Sequence, residues 1–140
     1  TRVKDPEKVA ELGPQFDIVK KFLDARGIRH FQLDEYEADD IIGSLAFQVK
    51  CRVMIWSRDK DFAQLLCPTV RITQQAQGDC AERYYTYRNC CEFYGINPEM
   101  FVDYLALCGD SVDNIPGIPG VGDKIAIRLL NEYVDIEGIF

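Results

Sequence analysis

Arg52-Val53-Met54-Ile55-Trp56-Ser57-Arg58-Asp59-Lys60-Asp61 is the stretch that sets the fold class of this chain. The apolar run Val53 to Trp56 suits a buried strand of a parallel sheet. Two carboxylates, Asp59 and Asp61, follow directly on it. An open α/β sheet binds its ligands beyond the carboxyl ends of its strands, so these acids stand where such a fold places its chemistry.

Working outward, the flanks alternate as an α/β protein should. Upstream, Pro14 to Arg26 predicts an amphipathic helix, with Phe16, Val19, Phe22 and Leu23 at helical spacing and Gly27 as its stop. Ile28 to Leu33 reads as a short extended segment. Glu37 to Val49 predicts a second helix with Ala38, Ile41, Ile42, Leu45 and Ala46 on its apolar side. Downstream, Asp61 to Leu66 is a short helix ended by Pro68, and Val70 to Thr73 is another strand. Gln77-Gly78-Asp79 reads as a turn before Arg83 to Tyr87, a hairpin partner.

From about Arg88 onward the pattern is helical. Arg88 to Tyr94 is closed by Gly95. Asn97-Pro98-Glu99 has a cap residue, a proline and an acid where a helix start needs them. That helix should run to Cys108 and bury Phe101, Tyr104, Leu105 and Cys108. A Gly/Pro-rich stretch, Ile115 to Gly122, leads into a last helix, Asp123 to Tyr133. We therefore divide the chain at 87/88, into an α/β segment (residues 1–87) and a helical segment (residues 88–140).

Composition narrows the class. With 140 residues, 47% hydrophobic and 28% charged, the chain has the proportions of one globular domain. No apolar run approaches the roughly 18 residues of a membrane span. No apolar stretch follows Thr1-Arg2-Val3-Lys4-Asp5, and without an initiator Met we expect sequence upstream. Six cysteines, at 51, 67, 80, 90, 91 and 108, include no C-x-x-C pair, and His30 is the single histidine. Free thiols in a reducing compartment are the simplest account. A net charge of -7 argues against a generic basic nucleic-acid binder.

The acids, however, are clustered. Glu37-Ala38-Asp39-Asp40 opens a helix, Asp59-Lys60-Asp61 follows a strand, and Asp110-Ser111-Val112-Asp113 follows the helix ending near Cys108. Taking these seven from 23 acids leaves 16, equal to the number of Lys plus Arg. The whole negative excess could thus be one site. Each cluster alone also fits plain helix capping, because acids are favoured in a first turn. Together they would repel by several kcal/mol unless cations gather them, and hard carboxylate oxygens suit two Mg²⁺ or Mn²⁺ ions. An EF-hand fails on spacing. A haloacid-dehalogenase-type phosphatase also uses D-x-D after a strand. That family usually has Thr or Val where Ala63 stands, and it leaves Glu37 to Asp40 unexplained.

The second informative stretch is Gly117-Ile118-Pro119-Gly120-Val121-Gly122-Asp123-Lys124. Glycines allow close backbone approach, and a helix N-terminus favours phosphate. The pattern looks like a helix-hairpin-helix, which grips a nucleic-acid backbone without reading sequence. Its bland alternative is a Gly/Pro loop between two helices.

Three segments carry a family resemblance: Glu37-Ala38-Asp39-Asp40-Ile41-Ile42-Gly43, Ser57-Arg58-Asp59-Lys60-Asp61, and Asp103 through Gly109-Asp110-Ser111-Val112-Asp113-Asn114 to Gly117. In order and spacing the chain resembles the 5′→3′ exonuclease and flap endonuclease family, like the N-terminal nuclease domain of bacterial DNA polymerase I. The resemblance implies a PIN-like α/β sheet followed by a helix-three-turn-helix region. It implies Glu37, Asp39, Asp40 and Asp59 as ligands nearer a first metal, and Asp61, Asp110 and Asp113 as those of a second. It implies Gly117, Gly120, Val121, Gly122 and Lys124 at the DNA backbone, with carbonyls near Ile118 and Val121 at a K⁺ site. The family's opening strand, with its own Asp, and most of its helical arch are expected outside these residues. Arg58 stands where the family usually has a small residue, and Trp56 is read as a core side chain.

The resulting expectation is a two-metal 5′ nuclease acting on duplex, flapped or branched DNA, with ions about 4 Å apart. A DNA polymerase domain in cis or trans is the expected companion. The expected location is a reducing intracellular compartment, bacterial cytoplasm or an organelle matrix. The competing reading is a catalytically incomplete homologue or fragment that binds nucleic acid or serves as a structural subunit.

Overall fold

In a computed structural model of the chain, residues 6–76, 81–111 and 114–140 are described, with side chains from residue 12 onward. Packing divides the chain into two units, Thr1–Ile41 and Ile42–Phe140. Among the described residues no helix is long and apolar enough to cross a membrane.

The first unit is built on α1 (Pro6–Ala25), which starts earlier than the sequence suggested and carries Pro14 inside it. Proline removes one amide donor but does not end this helix. Gly27 does: its φ of 66° lets the Gly27 amide reach Asp24 O at 3.0 Å and the Ile28 amide reach Leu23 O at 2.9 Å. That pair of bonds closes the helix in a Schellman turn. The extended segment predicted at Ile28 to Leu33 forms no strand. A strand needs the backbone groups of a neighbour, and none pairs with it among the described residues. α2 (Ala38–Gln48) begins with the Glu37 amide donating to Asp40 Oδ2 at 3.1 Å, one arm of a capping box.

The second unit holds a three-stranded sheet, β1 (Val53–Trp56), β2 (Val70–Gln74) and β3 (Arg83–Tyr85), in the order β1-β2-β3. β1 and β2 are parallel, Val53 opposite Val70 and Trp56 opposite Thr73; β3 returns antiparallel, Tyr85 opposite Ile72. Between β1 and β2 runs a 3₁₀ helix, Lys60–Leu65. The turn expected at Gln77-Gly78-Asp79 lies outside the described residues. Ile55, Val70, Ile72 and Tyr85 enter the core. Trp56 does not: it is 67% exposed, because alternate residues of β1 face opposite sides and Met54 and Trp56 share the exposed one.

The core continues from the sheet into the helices α3 (Cys90–Tyr94), α4 (Phe101–Cys108), α5 (Asp123–Tyr133) and α6 (Ile136–Ile139). A string of rings joins β3, α3 and α4. Tyr85 meets Tyr94 at 5.5 Å between centroids, Tyr94 meets Phe101 at 5.1 Å, and Phe101 meets Tyr104 at 5.5 Å. On α4 the buried residues are Phe101 and Leu107, with Tyr104, Leu105 and Cys108 half-buried beside them. Asn97 precedes a 3₁₀ turn, Pro98–Met100, without a side-chain capping bond. β4 (Gly109–Asp110) pairs antiparallel with β5 (Ile115–Pro116). Of the six cysteines, the five described are free.

Candidate functional site

The strand-end acids are placed by a short relay of local bonds. The Asp59 amide donates to Ser57 Oγ at 3.1 Å, and Asp59 Oδ1 accepts from the Asp61 amide at 3.0 Å. Asp59 thereby caps the 3₁₀ helix that β1 runs into. This is the capping role that the sequence left open for it, and one carboxylate oxygen is occupied by it. Asp61 sits in the first turn behind this cap, with Oδ1 buried.

Asp110 comes from a different stretch of the chain. It stands two residues after the end of α4, where Gly109 and Gly117 let two chain segments touch. Gly109 has φ 71°, and a Cβ there would fall 2.2 Å from the Gly117 nitrogen. A Cβ on Gly117 would fall 2.3 Å from the Cys108 carbonyl. No side chain fits either position. Gly117, expected at a DNA backbone, thus has a packing reason of its own. The Ile118 amide secures the crossing with a bond to Leu107 O at 2.9 Å.

Asp61 and Asp110 line one cavity of about 230 Å³, with Leu105, Ala106 and Ile115 as apolar walls. Lys60 Nζ lies 3.1 Å from Asp110 Oδ2. Burial opposes the lysine's charge, but the hydrogen bond and charge of Asp110, with Asp61 and Asp123 adding, hold its pKa above the ordinary value. Asp123 also raises the Tyr104 phenol and the Cys108 thiol, in each case behind burial as the larger cause. The sequence assigned no role to Lys60 and placed Asp123 only in a hairpin. Lys60 was flanked by two candidate ligands, which was the available signal; Asp123 had none beyond a helix start.

The two carboxylates offer the hard oxygen donors that a divalent cation takes. Two carboxylates from separate segments converge on apolar walls, where charge is felt more strongly than in water, and the position beside Asp110 already accepts a positive group. The other candidate acids are placed as follows. Glu37, Asp39 and Asp40 belong to the first unit, at the start of α2. Asp113 lies outside the described residues. Among the described residues no group of three His, Cys, Asp or Glu side chains stands ready to hold a metal ion.

The glycine hairpin has two kinds of glycine. Unlike Gly117, a Cβ on Gly120 or Gly122 would meet nothing within 4 Å. Gly120 has φ 84° and Gly122 is the N-cap of α5, where no side chain caps the first turn. Val121 packs against the core, its amide bonded to Ile118 O at 2.9 Å, and Lys124 is exposed. Backbone amides and a lysine on an open surface can receive a phosphate.

The chain is similar to known proteins along its whole length. Residues 1–95 match the family model described as 5′-3′ exonuclease, N-terminal resolvase-like domain. Residues 96–140 match that of the 5′-3′ exonuclease C-terminal SAM fold. DNA polymerase I of Bacillus subtilis (strain 168) is 41% identical over 130 residues, covering 91% of this chain and 15% of that protein. The 5′-3′ exonuclease of Buchnera aphidicola subsp. Acyrthosiphon pisum (strain APS) is 39% identical over 135 residues, covering 94% of this chain and 44% of that protein. A crystal structure of the bacteriophage T5 flap endonuclease with DNA and metal ions superposes with a TM-score of 0.74. Its sequence identity is 25%, over 98% of this chain and 51% of that one. The chain therefore spans about half or less of the length of the relatives it matches.

Proposed function

The chain belongs to the 5′-3′ exonuclease family, and from that premise we propose that it belongs to a metal-dependent nuclease hydrolysing DNA phosphodiesters from 5′ ends or at 5′ flaps. Its fold is the mixed α/β, PIN-like sheet of the 5′ nucleases followed by a helical region. The observation that carries the functional reading is the convergence of Asp61 and Asp110 on one apolar-walled cavity.

Asp61, Asp110 and Asp113 would hold one divalent cation, Mg²⁺ or Mn²⁺. Glu37, Asp39, Asp40 and Asp59 would be ligands to another. When bound, such ions activate water and offset charge on the phosphoryl oxygens. The carboxylates would act as holders, with Leu105, Ala106 and Ile115 as the apolar walls beside them. Asp59 keeps Asp61 in place through its amide. Open backbone at Gly120 and Gly122, with Val121 and Lys124, would hold a DNA phosphate some distance from the cut. Carbonyls at Ile118 and Val121 would take K⁺, and Gly117 shapes the hairpin beneath them. The helical segment, residues 88–140, then supplies duplex grip, and residues 1–87 supply the strand-end ligands. A DNA polymerase domain in cis, as in the B. subtilis relative, and a reducing compartment complete the proposal.

The test is Mg²⁺-dependent cleavage of a 5′-flap substrate by the complete protein and by its Asp110→Ala/Asp113→Ala variant. Loss of cleavage in the variant supports the reading, and equal rates refute it. A second reading rests on the described residues bringing no three candidate ligands together in a ready metal site. On it, the chain is a catalytically inactive homologue that binds nucleic acid without cutting. Calorimetric titration with Mn²⁺ separates the two: carboxylate-dependent binding favours the enzyme, and its absence favours the inactive homologue.

A further inference from the structure

A second cavity lies at the other end of β1 from Asp59. Its volume is about 570 Å³, and it is lined by Arg52, Cys67, Pro68, Arg71, Thr86, Tyr87 and Arg88. Arg52 precedes β1, Arg71 lies on β2, and Arg88 follows β3, so the sheet brings together three residues far apart in sequence.

Three guanidinium groups around one cavity repel one another, and proteins usually relieve that with carboxylates. Here, among the described residues, none of the three forms an ion pair; the pairs present are His30–Asp24 and Lys60–Asp110. The chain as a whole is acidic, at -7, so this local excess of positive charge is not a consequence of composition. The nearby carboxylate of Glu99 is engaged with the Tyr87 hydroxyl. The cavity floor favours negative charge as well. Burial disfavours a thiolate at Cys67, yet hydrogen bonds from the Thr69 side chain and from the Thr69 and Val70 amides outweigh it and lower that pKa. Cys67 Sγ lies 3.2 Å from Thr69 Oγ1.

We propose that this cavity is a phosphate-binding site, receiving a phosphoester group through Arg52, Arg71 and Arg88. Guanidinium forks match phosphate oxygens two at a time, and the volume suits a nucleotide-sized ligand. The phosphoester comes either from a nucleic-acid strand or from a free mononucleotide. The site stands at the opposite end of the sheet from the carboxylate cavity, and it does not depend on the nuclease reading.

Cys67 provides the readout. The chain is alkylated with iodoacetamide, and modification of each cysteine is followed by peptide mass spectrometry. The probes are inorganic phosphate, dAMP and a short duplex DNA. Occupancy slows modification of Cys67 several-fold, while the exposed Cys51 and Cys91 react as before. Slowing by duplex alone assigns the phosphate to a strand; slowing by dAMP and inorganic phosphate assigns it to a free nucleotide. The Arg52→Gln and Arg88→Gln variants, both at exposed positions, should each weaken the effective probe about tenfold or more, as loss of a charged hydrogen bond does. Arg128→Gln, on α5, should not. An unchanged Cys67 rate with all three probes overturns the proposal. So does equal protection in the Arg52→Gln and Arg88→Gln variants.

Discussion

Lys60 Nζ and Asp110 Oδ2 stand 3.1 Å apart at the carboxylate cavity. The chain thus brings its own cation to a wall formed by two acids from distant segments. The lysine side chain is 47% exposed and that of Asp110 is 13% exposed, so solvent reaches one partner and hardly the other.

Removing the lysine should separate two effects. Lys60→Met should lower stability by about 1 kcal/mol or less, the scale of a partly exposed ion pair. It should also tighten Mn²⁺ binding, because a competitor for Asp110 is gone. Because the folded pKa of Lys60 is raised above 10.5, its contribution is full below that value. It is lost as pH rises through the higher folded pKa. Urea titrations and calorimetry with Mn²⁺ check both effects; weaker Mn²⁺ binding in the variant would contradict the competition.

The two kinds of hairpin glycine should diverge under substitution. Gly117→Ala drives a methyl into the Cys108 carbonyl and should cost about 3 kcal/mol or more, at the upper end of overpacking penalties. Gly122→Ala meets open space and should cost about 1 kcal/mol or less, an N-cap effect. If the hairpin receives DNA, Gly122→Ala weakens duplex binding while the fold survives. Urea midpoints and a binding titration tell the two apart.

Thiol reactivity should follow burial. Cys90 is fully buried, and its pKa is pushed up to about 11 by loss of solvation. The thiolate is the reactive form, so at pH 8 about one molecule in a thousand would present it. Cys51 and Cys91 are exposed and should be alkylated first. Rapid modification of Cys90 in the folded protein would contradict the packing of α3.

Tyrosine ionisation should be spread out in pH. Burial pushes Tyr94 up to about 12, with the charges of Tyr85 and Cys90 adding to it. Burial and the Asp123 hydrogen bond push Tyr104 upward as well. Both stabilise the fold fully below the ordinary tyrosine pKa near 10, and that contribution is lost as pH rises toward the folded values. Absorbance titration should show late-ionising phenols that merge with the rest in denaturant. Tyr94→Phe should remove one of them.

Several elements were legible because their signals are local. Gly27 ends α1 by a left-handed turn that glycine adopts at little cost. The run Val53 to Trp56 forms β1, and Asp123 to Tyr133 forms α5 with the predicted bounds. Asp59 and Asp61 fell at the strand's end as expected. The failures are equally local in cause. Ile28 to Leu33 has strand composition without a pairing partner among the described residues. Trp56 has a core residue's character on the exposed face of β1.

What the amino-acid order determined by itself was the kind and placement of elements, and which acids end which segment. Helix periods, caps and breakers act within a few residues, so they can be read from neighbours in the chain. Only the tertiary structure decided that Asp61 and Asp110 line one cavity, that Lys60 pairs with Asp110 there, and that Arg52, Arg71 and Arg88 line another. Such meetings depend on chain crossings like that of Gly109 over Gly117 and on the register of β1 against β2. Both are set by packing between residues far apart in sequence, which no short window contains.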